Sequence, residues 1–167
     1  MRRAMLALLL LAAAPAVAHA GCAGETLAAC EVAPGEVLHA CVDPEAEAFS
    51  YAFGPPGAPD LTLRAPFAEG TARPWNGVGR AIWSRVAFRN GAYAYEVWIS
   101  LDRLTPDPAP EAGMNVLRGE TLLASLQCRA GPDGSGPPVI APIFAIEDAM
   151  EAAGWRWEIE AGRWARP

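Results

Sequence analysis

AIWSRVAFRNGAYAYEVWISL, the sequence of residues 81–101, decides the fold. Apolar side chains alternate with polar or small ones on both sides of Asn90-Gly91, and this pair is preferred at the centre of a two-residue type I′ turn. The pattern therefore predicts a β-hairpin in which the numbers of facing residues add up to 181. The predicted facing pairs are Phe88 with Tyr93, Val86 with Tyr95, Ser84 with Val97, Ile82 with Ile99, Arg85 with Glu96, and Trp83 with Trp98.

This register gives the predicted hairpin two faces of different chemistry. One face is apolar except for Ser84, and the other carries an opposed charge pair and an opposed tryptophan pair. A slip of one residue would move every side chain to the opposite face, so we expect the hydrophobic pattern to specify the pairing strongly. Each cross-strand pair contributes about 0.2–1 kcal/mol to the stability of a sheet.

Other alternating segments, separated by glycine and proline, extend the predicted sheet on both sides of this hairpin. The segments that we expect to be extended are 36–42, 48–65 with a turn at 54–57, and 114–118 and 121–128 with a turn between them. Residues 21–35 and 105–113 are rich in alanine, glycine or proline and lack the alternation. We therefore expect both of these segments to be irregular.

The sequence predicts its one helix near the C-terminus. Residues 131–142 are rich in glycine and proline and are expected to form a linker within the domain, followed by a helix and a final strand in 143–167. Apolar residues recur with helical spacing over 144–153, and Gly154 follows where a C-terminal cap belongs. Alternation over 155–159 predicts the last strand.

Residues 1–20 have the composition of a secretory signal peptide. Two arginines precede an apolar run, which is followed by small residues that end in Ala-His-Ala at 18–20. We expect this segment to be removed, which leaves a single β-rich domain over 21–167 in the periplasm or outside the cell. His19 stands where a lipobox has a leucine-like residue, so we do not expect lipid attachment at Cys22.

The cysteines are Cys22, Cys30, Cys41 and Cys128. An even number in an exported chain predicts two disulfides, with three possible pairings. Of these we favour Cys22 with Cys30 as a local clasp, and Cys41 with Cys128 as a staple between the first strand and a late one. The predicted fold is therefore mainly β, an antiparallel meander or small barrel with one short C-terminal helix, held by disulfides.

The predicted mature chain is acidic. Without the two arginines of the signal peptide, 11 basic residues face 19 acidic ones, which gives a net charge of −8. Nucleic acid is excluded as a partner because its phosphates are bound by Lys and Arg. The mature chain also has no apolar segment of the length that a transmembrane helix needs. We expect a protein partner in the cell envelope.

Motifs for catalysis, metal binding and cofactor binding are missing from the predicted mature chain. His39 is its only histidine, and the sequence has no Gly-x-Ser-x-Gly motif, no Cys-x-x-Cys spacing and no phosphate-binding glycine loop. Two acid pairs, Glu96 with Asp102 and Glu147 with Asp148, are the candidates for a hydrolase. Glu96 has a predicted partner across the hairpin, and the second pair is predicted to lie on the solvated side of the helix. We expect no enzyme, no metal and no cofactor.

Two groups of residues are candidates for binding. Trp75, Asn76 and Arg80 lie in a glycine-containing loop before the hairpin and include the residue types that dominate binding hot spots. The alternative is structural, with Trp75 capping the open end of the core and Arg80 paired with a nearby acid. Trp83 and Trp98 are predicted to lie on the outer face of the hairpin, where they can dock on another protein.

The YAFG of residues 51–54, the DL of 60–61 and the FRNGAYAYEV of 88–97 resemble a group of small exported bacterial proteins of unknown function. These share a Y-x-F-G…E-L hairpin followed by F-x-N-G-x-Y-x-Y-x-V. The likeness covers about residues 36–128 and implies a fold without an activity.

The layout is also similar, more loosely, to that of the periplasmic inhibitors of C-type lysozyme, which are small disulfide-stapled β-barrels. Their inhibitory loops carry a serine-glycine-tyrosine type motif and a lysine-bearing segment. This chain has no lysine and no Ser-Gly-x-x-Tyr, so no inhibitory residue can be carried over.

Three functional hypotheses follow from the sequence. The first is a periplasmic binding module, in one version an inhibitor of a cationic hydrolase such as lysozyme. The second is a structural or assembly factor of the envelope that docks through Trp83 and Trp98. The third is a carboxylate-dependent hydrolase.

Overall fold

The computed structural model describes residues 24–167. The predicted signal peptide of residues 1–20 and Cys22 lie outside the described residues. Across 24–167, no helix has the length and apolar character that crossing a membrane requires.

The described residues form two antiparallel sheets, one short helix and a small C-terminal hairpin. In chain order, the elements are β1 (Glu25–Ala33), β2 (Glu36–Asp43), β3 (Ala48–Gly54), β4 (Leu61–Pro66), a 3₁₀ helix (Phe67–Glu69), β5 (Ala72–Arg73), β6 (Ala81–Asn90), β7 (Tyr93–Asp102), β8 (Glu111–Arg118), β9 (Thr121–Gln127), β10 (Val139–Ile140), α1 (Ala145–Ala152), β11 (Arg156–Glu158) and β12 (Arg163–Ala165).

Both large sheets have five strands, and the second is a meander throughout, whereas in the first the meander of β1–β4 is joined at the β1 edge by β10. The first has the order β10-β1-β2-β3-β4 and the second the order β5-β6-β7-β8-β9, while β11 pairs with β12. The prediction of a mainly β, antiparallel fold with one short helix near the C-terminus is confirmed. Of its two versions, the meander describes residues 24–167, which form no closed barrel.

Side chains from both sheets and from α1 share one hydrophobic core. Its largest fully buried side chains include Phe49, Phe67, Phe88, Leu27, Leu38, Ile99, Met114, Ile146 and Met150. Tyr51 of β3 joins the sheets, because its ring lies 5.2 Å from that of Phe88 and its hydroxyl donates to the sulfur of Met114 at 3.4 Å. This packing turns the opposite face of the second sheet away from the core.

The register of the central hairpin differs from the prediction by two residues. Asn90 pairs with Tyr93, so that the numbers of facing residues add up to 183, and Phe88 faces Tyr95. A type I′ turn needs positive φ at both central residues, whereas of the predicted pair only Gly91 has it, with φ 59°. Gly91 and Ala92 therefore form the turn, with glycine first as in type II′. Because the shift is even, every side chain stays on its predicted face.

The first strand, β1, lies in a segment that we expected to be irregular. Four consecutive residues from Leu27 to Cys30 are buried, and register irregularities near Thr26 and near Val32 interrupt the alternation of sides. β1 is also covered on its outer edge, where Ala28 and Ala29 pair with β10. A buried strand with bulges shows no alternation in its sequence, which explains why the prediction missed it.

The disulfide pairing that we favoured is wrong. Cys30 of β1 is bonded to Cys128, which directly follows β9, with Cα atoms 5.4 Å apart. Cys41 is also disulfide-bonded. The local clasp between Cys22 and Cys30 is therefore excluded, as is a bridge between Cys41 and Cys128. The backbone adds to the junction, because Glu31 donates to Ala130 at 3.0 Å and accepts from Arg129 at 3.0 Å. β1 therefore holds the end of the second sheet.

The C-terminal helix α1 ends as its sequence predicts. Gly154 has a φ of 84°, and its N–H donates to Glu151 while that of Trp155 donates to Met150. These two bonds are those of a Schellman motif, which requires a residue in the left-handed region that glycine readily supplies. The predicted strand after the helix is β11, and its partner β12 was missed.

Candidate functional site

Two adjoining hollows lie on the outer face of the second sheet, and we call them together the outer groove. The first has a volume of about 420 Å³ and is lined by Trp83, Arg85, Glu96, Trp98, Ser100, Glu111, Asn115 and Ser125. The second has a volume of about 480 Å³ and is lined by Arg80, Ala81, Ser100, Asp102, Thr105, Pro108, Ala109 and Glu111. Because Ser100 and Glu111 line both hollows, the outer groove is continuous.

The alternation of sides along β6, β7 and β8 produces this surface. Val86, Val97 and Met114 point into the core and are at most 1% exposed. Their chain neighbours therefore point outward from the same strands. The burial of one face thus positions the side chains of the other.

The indole of Trp98 lies directly over Gly113 of β8. A Cβ atom at position 113 would lie 2.5 Å from Cζ2 of Trp98 and 2.3 Å from the carbonyl oxygen of Leu126. The first of these contacts is with a ring and the second with a strand backbone, so neither side can move away easily. Glycine at this position therefore leaves room for the ring to approach the sheet closely.

We expect Gly113→Ala to lower the free energy of unfolding by about 2–3 kcal/mol, because the added methyl group overpacks this contact. Urea unfolding measures the loss, and the near-UV circular dichroism of the tryptophans should change with it. Gly119→Asn is the matched control, since nothing lies within 4 Å of a Cβ there and asparagine tolerates the positive φ. Equal unfolding midpoints for Gly113→Ala and the unmodified protein would contradict this account.

A chain of polar contacts crosses the first hollow from β6 to β9. Arg85 contacts Glu96 with 3.2 Å between Nη1 and Oε1, and Asn115 donates to the same oxygen at 3.2 Å. Ser125 donates to the Asn115 side-chain oxygen at 2.9 Å. The guanidinium of Arg85 also lies 4.5 Å from the centre of the Trp83 ring, within the range of cation–π attraction. The polar side chains are thus held in place by one another.

The second hollow is organised around Asp102, at the end of β7. Arg80 donates through Nε to both carboxylate oxygens at 2.8 Å, and its Nη2 lies 2.6 Å from Oδ2. Thr105 and the backbone N–H of Leu104 also donate to this carboxylate. The hydrogen bonds from Arg80 and then from Thr105 and Leu104 hold the pKa of Asp102 well below its ordinary value. The carboxylate is therefore ionised and fully engaged.

Three of the five predicted binding residues line the outer groove. These are Arg80, Trp83 and Trp98. Trp75 and Asn76 instead bond within their own loop, where the Trp75 indole donates to the Val78 carbonyl at 3.0 Å and the Asn76 side chain accepts from the Val78 N–H at 3.2 Å. The binding role of all five stays a prediction.

The sequence reasoning missed the groove residues on β8 and β9. Glu96 faces Asn115, which faces Ser125, so the three side chains form one row across neighbouring strands. The sequence predicts a loop at Glu111, whereas in the structure this residue begins β8. The alternation of residues 111–118 carried the signal, but proline and glycine nearby concealed it.

Of the candidate acids, Glu147 has a different position from the one expected. The hydroxyl of the fully buried Ser84 on β6 donates to Glu147 Oε2 at 2.8 Å, and Oε1 is covered and has no hydrogen-bond partner. Burial raises the pKa of Glu147 to about 7. Asp148 is exposed, so these two acids do not face a common cleft. Glu147 therefore lies against the sheet and not on the solvated side of the helix.

His39 lies on β2 and is half-buried. Desolvation lowers the pKa of its imidazole, so the ring is neutral at pH 7. Its side chain borders a small hollow of about 20 Å³, lined by Gly and Pro of the turn after β3. Among residues 24–167, no three His, Cys, Asp or Glu side chains are grouped as metal ligands.

In comparisons with known proteins, no family model, no curated protein and no solved structure matches this chain.

Proposed function

We propose that this chain is a non-catalytic binding module that acts outside the cytoplasm and contacts its ligand through the outer groove. The observation that carries the proposal is the pre-arranged surface on β6–β9, where Trp98 rests on Gly113 and Arg85, Glu96 and Asn115 are already bonded to one another. Side chains that are ordered before binding lose little conformational entropy when a ligand arrives.

Binding is favoured over hydrolysis by the state of two of the three acids in the groove. Glu96 is paired with Arg85 and Asp102 with Arg80. A carboxylate-dependent glycosidase needs one carboxyl group with a raised pKa that donates a proton and a second that attacks or activates water. An acid whose pKa is lowered by a guanidinium is a poor proton donor, and Asp102 is such an acid.

The outer groove includes the surface that the sequence assigns to docking through Trp83 and Trp98. The other candidate surface, the loop of Trp75 and Asn76, uses the polar atoms of these side chains for its own internal bonds. The hypothesis of an inhibitor of a cationic hydrolase rests in part on this loop of residues 75–80, and these internal bonds favour no such partner. We therefore propose an envelope component as the ligand, and periplasmic or secreted location as its setting.

Site-specific photo-crosslinking in the native host tests this proposal. A photoreactive amino acid at Ser125, within the outer groove, should give discrete adducts in intact cells. The same amino acid at Thr62, exposed on β4 of the other sheet, is the matched control and should give none. Adducts from position 125 should disappear when Trp98→Ala is added. Equal yields at the two positions, or no adducts from the groove, would refute the assignment of this surface.

A further inference from the structure

We infer that the ligand of the outer groove is a glycan chain. This inference rests on the proposed function and makes it more specific. The inference comes from the chemistry of the lining residues, from the position of Trp98 and from the shape of the groove. The lining excludes apolar and polyanionic ligands, Trp98 supplies a surface for a sugar ring, and the shape favours a chain over a single sugar.

The lining is polar, mixed in charge and poor in aliphatic side chains. Apart from the two tryptophans, the largest apolar side chain among the residues that line the two hollows is that of Pro108. An amphipathic helix or a lipid needs a surface of large apolar groups, which these hollows lack. Arg80 and Arg85 are outnumbered by Glu96, Asp102 and Glu111, so a polyanion is repelled as well. A neutral, highly hydroxylated ligand fits this lining best.

Trp98 offers the flat apolar surface that a sugar ring needs. A pyranose has hydroxyl groups around its rim and C–H groups on its faces, so it combines an apolar face with a polar edge. The Trp98 ring lies against Gly113 and also lines the first hollow, where the C–H face of a sugar can stack on it. The glycine supports the ring from below, so the platform exists before the ligand arrives.

The polar row next to this platform matches the rim of a sugar. Glu96, Asn115 and Ser125 lie on three neighbouring strands, which are about 4.8 Å apart. Carboxylate, amide and hydroxyl groups can together donate and accept, as the hydroxyls of a sugar do. Arg85 fixes the Glu96 carboxylate, so its remaining lone pairs point in defined directions.

The shape of the groove indicates a chain of sugars. The two hollows have volumes of about 420 and 480 Å³ and join at Ser100 and Glu111. Glu111 also accepts from Gln127 at 3.2 Å, which holds its carboxylate at the junction. A single sugar would fill only part of this volume, whereas an oligosaccharide can occupy both hollows.

Nitrogen-15 NMR titration of the full mature protein tests the inference. The probes are the neutral oligosaccharides chitotetraose, cellotetraose, mannotetraose and maltotetraose at millimolar concentration. We expect at least one probe to shift the indole N–H signal of Trp98 and the side-chain amide of Asn115 saturably. Trp98→Ala should weaken that binding by at least about tenfold, which corresponds to about 1.4 kcal/mol.

Two further variants keep the test decisive. Trp75→Ala removes a tryptophan outside the groove and should leave the affinity unchanged. Asn115→Ala replaces Trp98→Ala if the latter loses the dispersed spectrum of the folded protein, and it should weaken binding as well. The inference is overturned if Trp75→Ala loses binding while Trp98→Ala and Asn115→Ala keep it. It is also overturned if none of the four probes gives a saturable shift. If no glycan binds but Ser125 still forms specific adducts in cells, the binding module stands and only the ligand class falls.

Discussion

Replacing both Cys30 and Cys128 by alanine is expected to lower the free energy of unfolding by about 4–5 kcal/mol. The bridge joins residues 98 positions apart and ties β1 to the end of β9. In the chain-entropy model, a cross-link that closes a loop of about this length removes that much conformational freedom from the unfolded chain. Urea unfolding of the oxidised proteins at pH 7 measures the difference.

The double variant isolates this bridge because Cys41 keeps its own disulfide. Reduced unmodified protein, which loses every bridge, should therefore be at least as unstable as the variant. A loss below about 1 kcal/mol in the variant would mean that packing between the sheets, and not the cross-link, supplies the stability at this junction.

Glu147→Gln is expected to stabilise the protein at pH 8 by about 3 kcal/mol and to have little effect at pH 4. The pKa of Glu147 is about 7 in the folded protein, against an ordinary value of 4.5. Between these pH values the folded state keeps a proton that the unfolded chain releases, so stability falls as the pH rises. Each unit of pKa difference corresponds to about 1.4 kcal/mol. Glutamine keeps an acceptor for Ser84 and has no charge to bury.

The measurement is the difference in unfolding free energy between Glu147→Gln and the unmodified protein at several pH values from 4 to 8. This difference is needed because His39 acts in the opposite direction. Burial lowers its pKa, so its contribution to stability increases as the pH rises towards 6.5. Asp148→Asn, at an exposed acid of the same helix, is the matched control and should change the pH dependence far less than Glu147→Gln, because the charge of Asp148 is only a minor cause of the raised Glu147 pKa. A difference that is constant across this range would contradict the buried position of the Glu147 carboxyl group.

The sequence was enough to predict which face of the central hairpin each side chain occupies, but not which residues of its two strands face each other. The predicted register and the observed one differ by two residues, so hydrophobic alternation assigns Val86 and Val97 to the core in either of them. Which register forms depends on the sign of φ at Asn90, and the hydrophobic pattern carries no information about that torsion. For the same reason Arg85 and Glu96 form the expected ion pair diagonally and not directly opposite each other.

The groove was predicted in part, because it is assembled from four strands. Trp83 and Trp98 belong to one hairpin, and local sequence is enough to place them on its outer face. The row of Glu96, Asn115 and Ser125 forms only when β8 and β9 are in register with β7. The support below Trp98 is Gly113, which lies in the segment 105–113 that the sequence predicts to be irregular. Contacts between segments distant in sequence leave no periodic signal, and the disulfide of Cys30 is another such contact.

The outer edge of β1, the first strand of the described residues, is closed by segments that come much later in the chain. Under the proposed location outside the cytoplasm, the chain crosses a membrane before it folds and emerges with its N-terminal end first, so the β1–β2 hairpin can form long before its outer neighbours arrive. Glu31 bonds to Ala130, and Ala28 pairs with Ile140, so roughly a hundred more residues must emerge before that edge is closed. Throughout this interval an exposed row of N–H and C=O groups is open to strands of other chains that have crossed. Slow export of the C-terminal third should therefore promote aggregation more than slow export of the first third.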